Sequence, residues 1–249
     1  MFCSIFYLFN VARLITFKND YNFNNFLFSK PSELHLDYIN KLNLTELPLI
    51  NDNFAINYGK NNSIIKNYYF SNYEFRKVRL TYFKSDDKVM FNSVFYPSIN
   101  YDCPILSVDL INFGENKSLC FINLFEIYNK SEYHNIYIKP FEEIKKLYPE
   151  LSESKSKHLT EFNDILGRAM LYSHVYDSSK FNTTIYEVLN KYFEIYTKLF
   201  IKKPVNRQFI EEQHQKYNNI RHNIELNFIT KDYFDELWYN RLLRYFYYN

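Results

Sequence analysis

The sequence predicts an α+β protein, a three-layer α/β/α sandwich whose central antiparallel sheet is flanked by helices. Three observations predict it. Between Phe75 and Phe125, four apolar runs are separated by short turn signals. The third of these runs is apolar on both of its faces, so both sides of the sheet need a cover. Helical periodicity takes over near the C-terminal end. Strands followed by helices, rather than alternating with them, is the α+β order.

The first run, FRKVRLTYFK, alternates: Val78, Leu80 and Tyr82 share one face, and Lys77, Arg79 and Thr81 the other. Ser85-Asp86-Asp87 is a turn signal, and KVMFNSVFY follows as the second strand. A loop with Pro97, Asn100 and Pro104 leads into PILSVDLINF, the third strand. Gly114-Glu115-Asn116 turns the chain into SLCFINLF, the fourth. Connections this short join antiparallel neighbours.

The covering helices come later. Ile185, Val188, Leu189, Tyr192, Phe193, Tyr196, Leu199 and Phe200 form one helical stripe, ended by Pro204. Residues 207–227 read as a more polar helix. Residues 231–247 read as a last helix with Thr230 as its N-cap. Upstream, residues 20–70 are broken by Pro31, Pro48 and Asn-rich turns and read as short strands and loops. The start, MFCSIFYLFNVARLITF, reads as a helix within the first 20 residues that docks at the edge of the core. The other reading is a degenerate signal or transit segment. Arg13 and Lys18 interrupt it before a bilayer-spanning length, and no other run is long enough, so a soluble chain without a membrane span is expected.

With 249 residues, no internal repeat and no dividing linker, the chain is expected to be a single domain over 1–249. Apolar residues make up 47% of it, enough for a sizeable core. The abundance of Asn, Ile, Lys, Phe and Tyr is what AT-rich coding DNA produces. A net charge of +2 with scattered lysines excludes a general nucleic-acid binder. Cys3, Cys103 and Cys120 have neither zinc nor iron–sulfur spacing and read as reduced thiols. Three glycines exclude a dinucleotide fingerprint, so electrons for any redox chemistry must arrive from outside.

Two polar residues sit inside apolar strands. Asp109 lies between Val108 and Leu110. A carboxylate there is expensive to bury unless it is paired or protonated. It is either a structural carboxylate bonded to backbone or a general acid whose proton is kept by desolvation. Asn92, inside VMFNSVFY, is either a satisfied core amide or a donor and acceptor for a ligand. The six histidines show no metal-binding pair. His214 and His222, eight apart on a helix, read as a surface stripe.

The run FRKVRLTYFKSDDKVMFNSVFYPSINYDCPILSVDLINFG resembles the ferredoxin-dependent bilin reductases. The matching pieces are Arg79-Leu80-Thr81, Asn92-Ser93-Val94-Phe95-Tyr96-Pro97, Asn100-Tyr101-Asp102, Pro104, Val108-Asp109-Leu110 and Phe113-Gly114. YIKPFEEIKKLYPEL and RHNIELNF…LWYNRLLRYF are similar to later segments of the family, so the likeness spans most of residues 65–249. It implies an α/β/α sandwich with the bilin between the sheet and the C-terminal helices. It implies no bound metal or organic cofactor, and electrons from reduced ferredoxin, one at a time.

By the same resemblance Asp109 is the proton donor and Asn92 positions a pyrrole lactam or a water. Asn92 also speaks against the phycocyanobilin branch and for the branch that reduces biliverdin at the 15,16 methine bridge. Asn218, three residues before Arg221, stands where many members carry a second acid. An amide cannot supply that proton, which fits a single two-electron reduction. Arg79, His174, Arg221 and Asn219 are the implied substrate contacts. His174 replaces an arginine near a propionate, Ser107 a glycine, and Asn123-Leu124-Phe125 an Asp-Phe-Gln. Expected partners are biliverdin or dihydrobiliverdin, ferredoxin, and a second bilin reductase that takes the product. A plastid is the expected compartment.

Overall fold

The structure, a computed structural model, describes residues 27–49, 52–114, 117–152, 166–228 and 232–247; side chains after Arg221 in the penultimate helix lie outside the description. The expected N-terminal helix falls outside the described residues.

The four predicted strands are present as β4 (Phe75–Lys84), β5 (Val89–Pro97), β6 (Ile105–Asn112) and β7 (Ser118–Phe125). They form the centre of one antiparallel sheet. β3 (Ile64–Ser71) adds beside β4, and the short β1 (Thr45–Glu46) and β2 (Ile56–Tyr58) both pair with β3. β8 (Leu171–Val175) adds beside β7. Tight turns set this order. Gly114 turns β6 into β7 at φ 79, a left-handed conformation that suits glycine.

One face carries Leu80, Phe91, Phe95, Val108, Leu110, Cys120 and Ile122, all at most 1% exposed. Two helices cover it, α1 (Ser29–Lys41) and α5 (Thr184–Tyr196). Each Leu, Val or Phe buried this way stabilises the fold by about 1.5–3 kcal/mol. His35 of α1 is sealed among Phe91 and Phe193, with ring centroids 4.7 and 4.9 Å away. Its Nδ1–H donates to the Pro31 carbonyl (2.6 Å), and its Nε2 accepts from the Ser93 hydroxyl (2.8 Å). Burial pulls its pKa down from 6.5 to about 4, and the bond to Pro31 opposes this only in part. Two short helices, α3 (Ser131–Tyr137) and α4 (Lys139–Lys146), add Tyr137, Phe141 and Ile144 to the same layer.

The opposite face has two parts. At one end Ile65, Phe83, Met90 and Ile111 pack under Tyr239, Leu242, Leu243 and Phe246. These belong to α7 (Glu236–Leu242) and a π-helical turn (Leu243–Tyr247). Buried Lys77 donates to the Phe246 and Tyr247 carbonyls and so satisfies the end of that turn. The centre of this face is polar and lies under α6 (Arg207–Phe228).

Three expectations are corrected. The segment read as strands and loops contains α1. Pro31 lies in the first turn, where its missing N–H costs no helical bond, and Leu34, Tyr38 and Ile39 bury one stripe. The stripe from Ile185 leaves the helix after Tyr196, well before Pro204; Leu199 is still buried beyond its end. The last helix starts at Glu236 rather than 231, because the Asp235 carboxylate caps it by accepting from Trp238 N–H (3.0 Å). Thr230 lies outside the described residues. The second α-helix among the described residues, α2 (Asp52–Ala55), is a single turn beside β2. Among the described residues, no helix is long and apolar enough to cross a membrane.

Candidate active site

Register builds the site. Asn67, Thr81, Asn92, Asp109, Phe121 and Tyr172 are direct cross-strand partners in sequence across β3 to β8. Residues directly opposite share a face, so this row crosses the polar side of the sheet. Both faces of β4 to β6 are buried, and a polar row on a buried face has to be satisfied by side chains.

Arg79 of β4 is fully buried and donates from Nη1 to Asn92 Oδ1 (2.7 Å). Asn92 in turn donates from Nδ2 to Asp109 Oδ1 (2.5 Å). On the far side Arg221 of α6 grips Asp109 with both ends of its guanidinium, at 3.1 Å to each carboxylate oxygen. The side chains of Arg221 and Asp109 are 6% and 13% exposed, so the pair is largely out of water. Arg79 also lies 4.1 Å over the ring of Tyr247, a cation–π contact that anchors it from the C-terminal turn. The result is one chain, Arg79–Asn92–Asp109–Arg221, in which Asp109 is the only acid.

Around this chain α6 rests on polar groups. The Tyr96 hydroxyl donates to Asn218 Oδ1 (2.8 Å). Arg76 donates to His214 Nδ1 (3.1 Å) and lies over the Tyr96 ring. His214 is 1% exposed, and burial together with the Arg76 charge lowers its pKa to about 3. Its Nε2 has no partner among the described residues. The Tyr217 hydroxyl faces Ser107 Oγ without a well-formed hydrogen bond, and burial raises the Tyr217 pKa.

The structure brings Asp109, Asn92, Arg79 and Arg221 together and places Asn218 one helical turn before Arg221. His174 stands apart, exposed on the outer strand β8 between Tyr172 and Tyr176. Asn219 is exposed, turned away from the sheet by its position on α6. Asn92 differs from its expected role: both ends of its amide are engaged by protein side chains, so it holds Asp109. Asp109 is paired with Arg221. His214 is no surface residue, because the polar face of α6 lies on a polar sheet face; the His222 side chain lies outside the described residues.

Asn123 bonds the Gly167 backbone N–H (2.8 Å), so that departure from the family pattern has a structural task. Asp102 of the Asn-Tyr-Asp motif accepts from the Tyr137 hydroxyl (2.6 Å) and pairs with Lys203 (2.9 Å), which pins the loop after β5. Cys103 and Cys120 are buried free thiols whose pKa values are raised by burial. Among the described residues no three His, Cys, Asp or Glu side chains cluster as a metal site. Sequence reasoning missed Tyr96, Tyr217 and Arg76; an aromatic and a cation alternating into a buried polar face was the available signal.

An α/β/α sandwich with one gripped acid at the centre of its polar sheet face, under a C-terminal helix, is the class that fold and site define. The known proteins it resembles narrow this. The family model for ferredoxin-dependent bilin reductase matches residues 34–249. The chain belongs to that family of oxidoreductases.

Among curated relatives, it is 26% identical over 195 residues to the 15,16-dihydrobiliverdin:ferredoxin oxidoreductase of Nostoc punctiforme, covering 76% of this chain and 80% of that protein. It is 27% identical over 220 residues to the Prochlorococcus marinus protein of that name, covering 84% and 91%. Tomato phytochromobilin synthase, solved in complex with biliverdin, shares the fold with a TM-score of 0.67 at 13% identity, over 85% of this chain and 80% of that one.

Proposed function

We propose that this enzyme moves two electrons and two protons onto biliverdin IXα and yields 15,16-dihydrobiliverdin. The observation that carries the reading is Asp109: a half-buried acid on the face under α6, held by Asn92 and Arg221. Reduced ferredoxin supplies the electrons one at a time, and no bound metal or organic cofactor takes part. Asp109 gives a proton to the reduced pigment. Asn92, oriented by Arg79, keeps the carboxyl group fixed under α6. The relatives named for this reaction support the choice of the 15,16 bridge. Asn218 supports it too, because its amide oxygen is committed to Tyr96 and offers no second acid.

Ferredoxin is acidic, so a basic rim near the bilin edge steers it, and the rate at limiting ferredoxin falls as salt rises. A second bilin reductase takes the dihydro product. The AT-rich composition together with this chemistry points to a plastid.

Anaerobic incubation with biliverdin and a ferredoxin-reducing system, followed by chromatography, tests the reading. Accumulation of 15,16-dihydrobiliverdin supports it. Phycoerythrobilin or phytochromobilin as the end product moves the chain to another branch. Biliverdin that stays bound and unreduced makes it a carrier.

A further inference from the structure

We propose that Arg221 is a displaceable guard on Asp109: a carboxylate of the incoming bilin draws Arg221 away, and Asp109 then takes up a proton from solvent. The proposal rests on Asp109 being the proton donor to a bilin, as read above.

The geometry poses the problem. Among the described residues, every contact on the Asp109 carboxylate is a donor: Asn92 Nδ2 on one oxygen, and the two Arg221 nitrogens on both. A bidentate guanidinium matches a carboxylate with two parallel, charge-assisted hydrogen bonds. In this arrangement both Asp109 oxygens accept, and neither is turned to an acceptor among the described residues that a carboxyl proton could bond. Among the described residues, other ionisable groups near it do not replace Arg221. Tyr217 of α6 is neutral, with burial raising its pKa. Cys120 of β7 lies on the opposite side of the sheet and is also kept neutral by burial. Arg79 of β4 donates to Asn92, which in turn donates to Asp109. Phe121 and the amide of Asn92 carry no charge. Removing Arg221 therefore removes the one direct counter-charge among the described residues from a carboxylate that is 13% exposed. A buried carboxylate without a partner is costly, and it takes up a proton instead.

A bilin brings what would displace Arg221. Its propionates offer the same planar carboxylate that the guanidinium fork already holds. The step balances. Asp109 carboxylate, Arg221 cation, bilin carboxylate and one solvent proton become Asp109 acid and an Arg221–bilin ion pair, with no electron moved. The seat of α6 is suited to the exchange. His214 Nε2 lacks a partner among the described residues, and the Tyr217 hydroxyl and Ser107 Oγ face each other without a proper bond.

The test needs no turnover. Biliverdin is added to the protein without ferredoxin in weakly buffered solution, and a pH-indicating dye reads proton exchange. Wild type takes up about one proton per bilin bound. Asp109→Asn and Arg221→Gln, each shown to be folded by circular dichroism, bind biliverdin without that uptake. Biliverdin dimethyl ester, which has no free carboxylate, binds wild type without it as well. No uptake by wild type overturns the guard. Equal uptake by Asp109→Asn overturns it too, because the proton then sits on the pigment. Failure of the proton-donor reading shows elsewhere, as undiminished ferredoxin-dependent turnover in Asp109→Asn.

Discussion

Arg221 and Asp109, 112 residues apart in sequence, meet through two parallel N–H···O contacts of 3.1 Å each. This pair ties the penultimate helix to the centre of the sheet. Breaking it from one side leaves a buried charge alone, which costs about 3–5 kcal/mol. Asp109→Leu and Arg221→Leu should each lower stability on that scale in urea titrations. The double variant should recover most of the loss. Additive losses would show that the two side chains are not coupled.

Arg79 and Asn92 form the other half of the chain. Asn92→Ala leaves the Arg79 guanidinium without its 2.7 Å acceptor in a site closed to water. Hydrogen bonds to charged groups contribute about 1.5–3 kcal/mol, so the midpoint of thermal unfolding should fall accordingly. Asn92→Ala should also slow turnover, because Asp109 loses the donor that orients it.

How much of this was legible in the sequence follows from where the physics is local. β4 to β7 showed as alternating or doubly apolar runs between turn residues, and Asp109 and Asn92 stood out as polar interruptions of those runs. Helix α1 was hidden because Pro31 reads as a breaker, although a first-turn proline breaks nothing. The grip of Arg221 on Asp109 and the burial of His214 depend on how α6 packs across the sheet. No pattern along the chain encodes a contact over that separation. The expected roles of His174 and Asn219 came from the resemblance, and neither side chain meets Asp109 here.

His35 sets an acid limit on stability. Its pKa is near 4 in the folded protein and 6.5 when exposed. Between those values the unfolded chain binds a proton that the folded one refuses. Its contribution is therefore present above about pH 6.5 and lost as pH falls toward 4, on the order of 3 kcal/mol. His214, with a pKa near 3, acts in the same direction. Denaturation followed from pH 7 to pH 4.5 should show stability falling with pH, and His35→Gln should flatten the slope.

Gly167 lies where the chain returns to the sheet. A Cβ there would run into the Leu124 carbonyl oxygen, and the Gly167 N–H supplies Asn123 with its bond. Gly167→Ala should destabilise by about 1–3 kcal/mol through displacement of that backbone. Chemical denaturation reads the loss, and an unchanged midpoint would mean the contact relaxes freely.

The most direct measurement of the central claim is turnover by Asp109→Asn. Asparagine keeps an oxygen for Arg221 and the shape of the side chain, but it has no acidic proton. With biliverdin, reduced ferredoxin and no oxygen, the variant should bind pigment with an intact long-wavelength band. It should then reduce the pigment at least about 100-fold more slowly than wild type. Bleaching of that band at the wild-type rate would contradict the assignment of Asp109 as the proton donor.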